Sequence, residues 1–549
     1  MRKRSNGKLF GIILIIIITI AFYLINNIQN NKIIATNDQI PTNNEMSTNN
    51  KIDEQTLLMS RIISEVSSTS VQLMLDLDED GTKDYTLFIN GSSNKEINPT
   101  ISKTELKEHK YMNEHIYYVD LAKDYGKLII TLHDVLDSGV AYYIEYIPND
   151  SNSRELTFEL KAGNSKELNL LEGYYTKDVL QYKDKKIANS TSLPNVVNYL
   201  DGDNNHIRLG RVFHETDLGR TVKSVSKIEK DIELTMNKKE TSYHYTLPVK
   251  EHYSTKVEGM VSNKKLVTNK HIKFNIDTLL VMDLADKKYL WTDGVYYENP
   301  ALYEPFAEND FFRTPSALHM RACYWVLDEG SIYTTYGISL MYKYAEAYND
   351  KNYIPTKPRS GWIFQEYGIV EDFYDTRFNT DTVSSFLHMQ EKYPDDEVEN
   401  VIDKYFEFYV DFVENNSFYI NENIFVPDYM DYNGNDQVPH CSLNHMLSEM
   451  TVLYRYHLLY DNTEYFHLAE KLLNSILNTK DEWVKSNGDL YYCITKDGEY
   501  IRDDYPLVTY NDLMRAEYYI NKIYGEVPKG YLEMKDAKEK WAKKNGYLK

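Results

Sequence analysis

The chain predicts an α+β multidomain protein: an N-terminal membrane anchor, a β-sandwich-like region, and a C-terminal α/α toroid built as a helical hairpin array. Three observations predict it. A run with no charged residue stands at the N-terminus, short β-branched and aromatic runs alternate with turns to about residue 275, and amphipathic helical periods dominate from there to the end.

Arg2, Lys3, Arg4 and Lys8 precede an almost wholly apolar run from Leu9 to Ile25, and the next charge is Lys32. Cations on that side fix residues 1–8 in the cytoplasm, with 9–28 as a single-pass signal anchor. A cleaved signal peptide is the rival, but its apolar core is usually shorter and ends in small residues, whereas Phe22 to Ile25 lead into Asn26 and Asn27. Both readings put the bulk of the chain outside the cytoplasm. Residues 29–55, rich in Asn and Thr and without hydrophobic period, read as a disordered stalk.

From 56 to 275 the strand signals are Tyr85 to Ile89, Lys127 to Leu132, Val140 to Ile147, Glu155 to Leu160, Asp231 to Met236 and Ser242 to Leu247. Ahead of the first of them, Asp76, Asp78, Asp80, Gly81 and Asp84 form D-x-D-x-D-G-x-x-D, which places oxygen ligands at alternate positions and a glycine at the turn. That is a calcium-type loop without the glutamate that completes an EF-hand. The expected metal is structural Ca2+, and no organic cofactor is expected.

From 276 to 549 the hairpin signal is clearest at Ser442 to Tyr460, where Leu443, Leu447, Met450 and Tyr454 share a stripe. A turn at Asp461 and Asn462 leads to a second helix with Tyr465, Leu468, Ala469, Leu472 and Ile476 on its face. Tyr344, Tyr348, Asn349, Asp350 and Tyr353 match the spacing of that hairpin, and a looser copy runs through Tyr393, Pro394, Asp395 and Asp396. Repeated hairpins bury their faces only by stacking. The segments 351 to 380, 416 to 441 and 479 to 510 are then loops at one mouth, where binding and chemistry usually sit.

The formal net charge of −22 excludes nucleic acid as the main partner. With three cysteines, Cys323, Cys441 and Cys493, there is no disulfide framework. The mouth loops combine carboxylates, tyrosines and cations: Trp362, Glu366, Tyr367, Asp372 and Arg377; Asp428, Tyr429, Asp431, Tyr432, His440 and Asn444; Arg502, Asp504, Tyr505, Tyr510 and Arg515. His445 and Glu449, four apart on one helical face, read as a satisfied pair rather than zinc ligands. Cys441 beside His440 is discounted as a nucleophile.

Asp431, Tyr432, Val438, Pro439, Ser442, Leu443, Asn444, Met446, Leu453 and Tyr454, followed by Arg502, Tyr505, Tyr510 and Asn511, resemble the C-terminal helical domain of the glucuronyl carbon-5 epimerase family. The family's His-rich continuation is replaced here by Asn511, Asp512, Leu513 and Met514. The resemblance implies a uronate polysaccharide substrate and removal of the proton α to its carboxylate. It further implies Tyr432 as one acid/base, Tyr505 or Tyr510 as the other, Arg502 as the carboxylate clamp and Asp431 tuning Tyr432. Trp362, Glu366, Arg377, His440, Asn444 and Arg515 complete the expected substrate-binding set. Expected partners are a polysaccharide or cell-wall glycan, the membrane through the N-terminal helix, and a second copy in a homodimer. A hydrolase using two of Glu366, Asp372 and Asp431, a lyase, and a non-catalytic glycan-binding protein are the alternatives.

Overall fold

The structure is a computed structural model that describes residues 61–548 apart from 93–94, 177–178, 204, 271–277, 280–287, 292, 300–301, 305–306, 314 and 433–436. The anchor at 9–28 and the stalk at 29–55 lie outside the described residues. Among those described, no helix is long and apolar enough to cross a membrane.

Two antiparallel sheets come first. A seven-stranded sheet runs in the order Ile62–Val66, Ser70–Leu75, Tyr85–Gly91, Leu156–Gly163, Glu240–Leu247, Ile232–Met236, Thr191–Leu193. A thirteen-stranded sheet lies against it, and side-chain alternation explains its place. In Gly139–Pro148, Val140, Tyr142, Ile144 and Tyr146 join the core shared with Val71, Leu73, Leu87 and Phe158 of the smaller sheet. Ala141 and Tyr143, pointing the other way, join the core shared with the helices. The larger sheet is therefore covered on both faces, the middle of three layers.

The division drawn between 275 and 276 falls in residues 271–277, which are not described. The larger sheet continues past it through Lys288–Leu290, Tyr296–Glu298 and Asp310–Arg313. Strand pairing, which a linear pattern does not display, carries the sheet across that point.

Among the described residues the helices of seven residues or more are α1 (Leu318–Tyr324), α2 (Ser331–Ala345), α3 (Gly361–Tyr367), α4 (Thr376–Lys392), α5 (Asp396–Asn416), α6 (Leu443–Tyr460), α7 (Thr463–Asn478), α8 (Val508–Tyr524) and α9 (Lys529–Lys544). Helices α1, α4, α6 and α8 stand side by side, and α2, α5, α7 and α9 follow them on the outside. This is the expected hairpin array. Helix α2 is buried almost throughout because the larger sheet covers the side its neighbours leave open. The hairpin expected at Tyr344 to Tyr353 is absent: α2 ends at Ala345, and the Asn349 side chain caps a turn by accepting from Lys351 N and Tyr353 N. Pro355 and Pro358 forbid a helix start that would continue through them.

Candidate functional site

The inner helices α4, α6 and α8 begin behind loops stapled by short β-ladders. Tyr374–Asp375 pairs with Tyr429–Met430, and Cys441–Ser442 pairs with Tyr491–Ile494, which in turn pairs with Tyr500–Asp503. Asp428 lies where the starts of α4 and α6 meet. Its carbonyl accepts from Thr376 N at 3.0 Å, its Oδ1 accepts from Ser442 N at 2.7 Å, and its own amide donates to the His440 carbonyl at 2.9 Å. Burial opposes its charge, but His445, His440 and Ser442 outweigh that and hold it below the ordinary carboxylate range. Two helix N-termini favour the same ionised form.

Two imidazoles flank this carboxylate. His440 Nε2 is 3.2 Å from Asp428 Oδ2, close but off hydrogen-bond geometry, and His440 Nδ1 is 2.5 Å from the Tyr367 hydroxyl. His445 Nε2 is 3.6 Å from Asp428 Oδ2, and its Nδ1 is 2.8 Å from Thr376 Oγ1. Burial first, then the Arg377 charge, push His445 down to about 4, so it is neutral near pH 7. With its proton on Nε2, His440 accepts from Tyr367 at Nδ1 while Nε2 stands 3.2 Å from Asp428 without a formed hydrogen bond, so phenol, imidazole and carboxylate lie in a row.

Aromatic rings wall this row. Trp362 stacks on His440 at 6.1 Å between centroids, Tyr429 and Tyr492 meet it edge-on at 5.9 and 5.4 Å, and Tyr505 stands edge-on to Tyr492 at 5.5 Å. The Arg502 guanidinium lies 5.6 Å from the Trp362 ring and pairs with Glu366. Arg502 holds φ at 67°, a left-handed conformation costly for a residue with a Cβ and concentrated at functional sites. Tyr505 is 39% exposed, so this wall is open to solvent. Burial first, then the charges of Asp504 and Asp428, hold its phenol above the ordinary range, with Arg502 pulling the other way.

Beneath the mouth, acids are held protonated. Burial, then Asp428, raise Asp375, the N-cap of α4, to about 8. Burial raises Glu449 to about 8 as well, against the opposing pull of the Thr376 and Tyr409 hydroxyls beside it. The satisfied His445–Glu449 pair expected from the sequence is not formed; His445 turns to Asp428 and Thr376 instead. Cys441 is fully buried, and burial keeps its thiol well above the ordinary range.

Of the expected site residues, Trp362, Glu366, His440, Arg502 and Tyr505 come together. Tyr432 does not join them: it stacks on Tyr353 at 5.8 Å, under Lys351 and beside Phe408 of α5, with the buried Asp431 next to it. Tyr510 packs with Leu507, Ala542 and Trp541 against α9. Arg377 bonds Asp381 and both oxygens of Asp512, its Nη1 also donating to the Asn444 carbonyl, and Arg515 lies 3.5 Å from Asp512. In the sandwich, Asp76, Asp78 and Asp84 each bring a carboxylate oxygen within 4.8 Å of the others. Asp80 is outside that group, its Oδ1 accepting from Thr82 N and Oγ1 at 2.7 and 2.5 Å. Asp428, Tyr367, Tyr429 and His445 are the central residues that had no assigned role; the signal that could have found them is the repeated Asp–Tyr pair, 428–429 and 431–432, of which the first faces the mouth.

No known family profile matches the chain, and no curated protein matches it. Among solved structures it is similar to a cellobiose 2-epimerase from Bacillus thermoamylovorans (13% identity, 42% of this chain and 58% of that one, TM-score 0.33). It is also similar to a D-mannose isomerase (11%, 38% and 56%, 0.29) and to a family 76 glycoside hydrolase from a bovine Bacteroides thetaiotaomicron strain (8%, 72% and 76%, 0.34). The chain spans little more than half the length of the first two. Likenesses at these scores carry no argument, so function rests on the site's own residues.

Proposed function

We propose that this chain is a carbohydrate-modifying enzyme that moves protons at carbon, a uronate carbon-5 epimerase. The observation that supports it is the row Tyr367, His440 and Asp428, bonded at the first contact and 3.2 Å apart at the second, beside an exposed second phenol, Tyr505, and an arginine, Arg502. A carbon-bound proton α to a carboxylate leaves only when the developing enolate is stabilised, and Arg502 supplies that charge. Tyr367 passes its proton to His440, whose imidazolium Asp428 stabilises, and the phenolate takes the carbon-5 proton. Tyr505 gives its proton to the opposite face, completing inversion, and the solvent-open Tyr505 phenolate is reprotonated from water as His440 gives up to water the proton it took from Tyr367. Trp362 offers a flat ring for a sugar face.

The test is incubation with uronate-containing polysaccharides in deuterated water. Deuterium at carbon 5 without new chain ends is the expected result, and Tyr505→Phe lowers its rate about 10²- to 10⁴-fold. Unsaturated new ends would replace the reading with a lyase, saturated ones with a hydrolase; binding without turnover would leave a glycan-binding protein.

The working location proposed with this function is extracytoplasmic, tethered through residues 9–28. Calcium at Asp76, Asp78 and Asp84 is proposed as a structural ion.

A further inference from the structure

We propose that Arg515 and Asn511, in the first half of α8, form a receptor for a small oxyanion, a group with two adjacent acceptor oxygens of carboxylate or phosphate type. The two residues are four apart and share one face of the helix. The Arg515 side chain is 8% exposed, and its Nε and Nη2, the two edge nitrogens that make fork-shaped bonds to an oxyanion, have no hydrogen-bond partner. Its neighbour Asp512 does not satisfy it. Both Asp512 oxygens already accept from Arg377, at 2.6 and 3.0 Å, and Arg515 reaches only to 3.5 Å with Nη1.

Asn511 Nδ2, one turn earlier, is a third buried donor without a partner. Buried donors left unmade are costly, and a buried guanidinium most of all, so a ligand that accepts from them is favoured. The surroundings are positive as well: burial first, and then the repulsion of Arg515 and Arg377 against the pull of Asp381, bring Arg321 down to about 10. An oxyanion would relieve that repulsion.

The proposal does not rest on the epimerase reading, because binding is measured without turnover. The full-length chain is titrated calorimetrically with inorganic phosphate, glucuronate and glucose at constant ionic strength. Saturable binding of phosphate or glucuronate, with none of glucose, is expected. Glucuronate binding that phosphate displaces assigns the oxyanion to a substrate's acid group; phosphate binding that glucuronate leaves unchanged assigns it to a free inorganic ion. Asn511→Asp places a carboxylate one turn from Arg515, so it weakens binding more than about tenfold while raising Tm. Arg515→Gln weakens binding equally. No saturable binding of either anion, or affinity unchanged in a folded Asn511→Asp protein, would overturn the proposal.

Discussion

Glu449 sits one turn beyond His445 on α6, fully buried beside the Thr376 and Tyr409 side chains. Burial first, and then the charges of Asp428 and Asp375, raise it from 4.5 to about 8. A carboxyl whose folded pKa is raised contributes stability that is fully present below the unfolded value and is lost as pH rises through the folded one. Between about pH 4.5 and 8 the protein therefore loses stability through this residue. Glu449→Gln, which keeps the shape of the neutral acid, removes that loss: it is near neutral at pH 5 and gains about 3 kcal/mol relative to the parent by pH 8.5. Chemical denaturation at the two pH values checks it, and an equal difference at both would show that Glu449 is ionised in the fold. Residues such as Glu449 explain why the site was only partly legible. Trp362, Glu366, His440, Arg502 and Tyr505 could be picked out because loops before helices gather polar and aromatic groups. Choosing between Asp428–Tyr429 and Asp431–Tyr432 needed the ladder that pairs Asp375 with Tyr429, a contact between distant segments.

At the scale of elements, caps and turns carried most of what the sequence disclosed. The strand signals at Lys127 to Leu132 and Val140 to Ile147 fall inside Gly126–Val135 and Gly139–Pro148, since glycines bound both. The turn at Asp461 and Asn462 is the junction of α6 and α7: Asp461 takes φ of 53°, and the Asn462 side chain accepts from Tyr465 N. Where the same letters lacked a following helical run, as at Asn349, the pattern misled. Asp395 is the cap with the most at stake, because its Oδ1 accepts from Glu397 N and Val398 N at 2.9 and 3.1 Å while Oδ2 accepts from the Tyr342 hydroxyl at 2.7 Å. Asp395→Ala is expected to lower stability by about 2 kcal/mol, seen as a reduced urea midpoint at unchanged slope. The loop from Asp76 to Asp84 gives another prediction. Burial first, then Asp78 and Asp76, raise the Asp84 carboxyl, a repulsion a divalent cation would reverse. Calcium at a hundred times its dissociation constant is expected to add about 2.7 kcal/mol to stability, and Asp84→Asn to abolish the gain; a Tm indifferent to calcium and chelator would remove the ion from the description.

For the whole molecule, the thirteen-stranded sheet is the common wall of both cores, so neither the sandwich nor the helical array has a complete interior alone. The seam between them is polar as well as apolar. Glu114 on strand Met112–Asp120 is reached by His133 Nε2 at 3.1 Å and by Lys343 of α2 at 2.8 Å, and His133 Nδ1 is 2.6 Å from Ser339 Oγ. Burial would raise Glu114, yet His133 and Lys343 draw it well below the ordinary range, the mark of a carboxylate that depends on its cations. A shared wall and a paired seam predict one cooperative unfolding transition, with calorimetric and van't Hoff enthalpies in agreement. Lys343→Met takes away a cation while keeping the apolar stem, and leaves Glu114 buried with less compensation. The expected loss is about 3 kcal/mol, with the single transition moved to lower temperature rather than divided. Two separate transitions in the parent would mean that the layers fold independently and that the seam is only contact. A single transition unmoved by Lys343→Met would mean that Lys107, 3.1 Å from the other Glu114 oxygen, is partner enough.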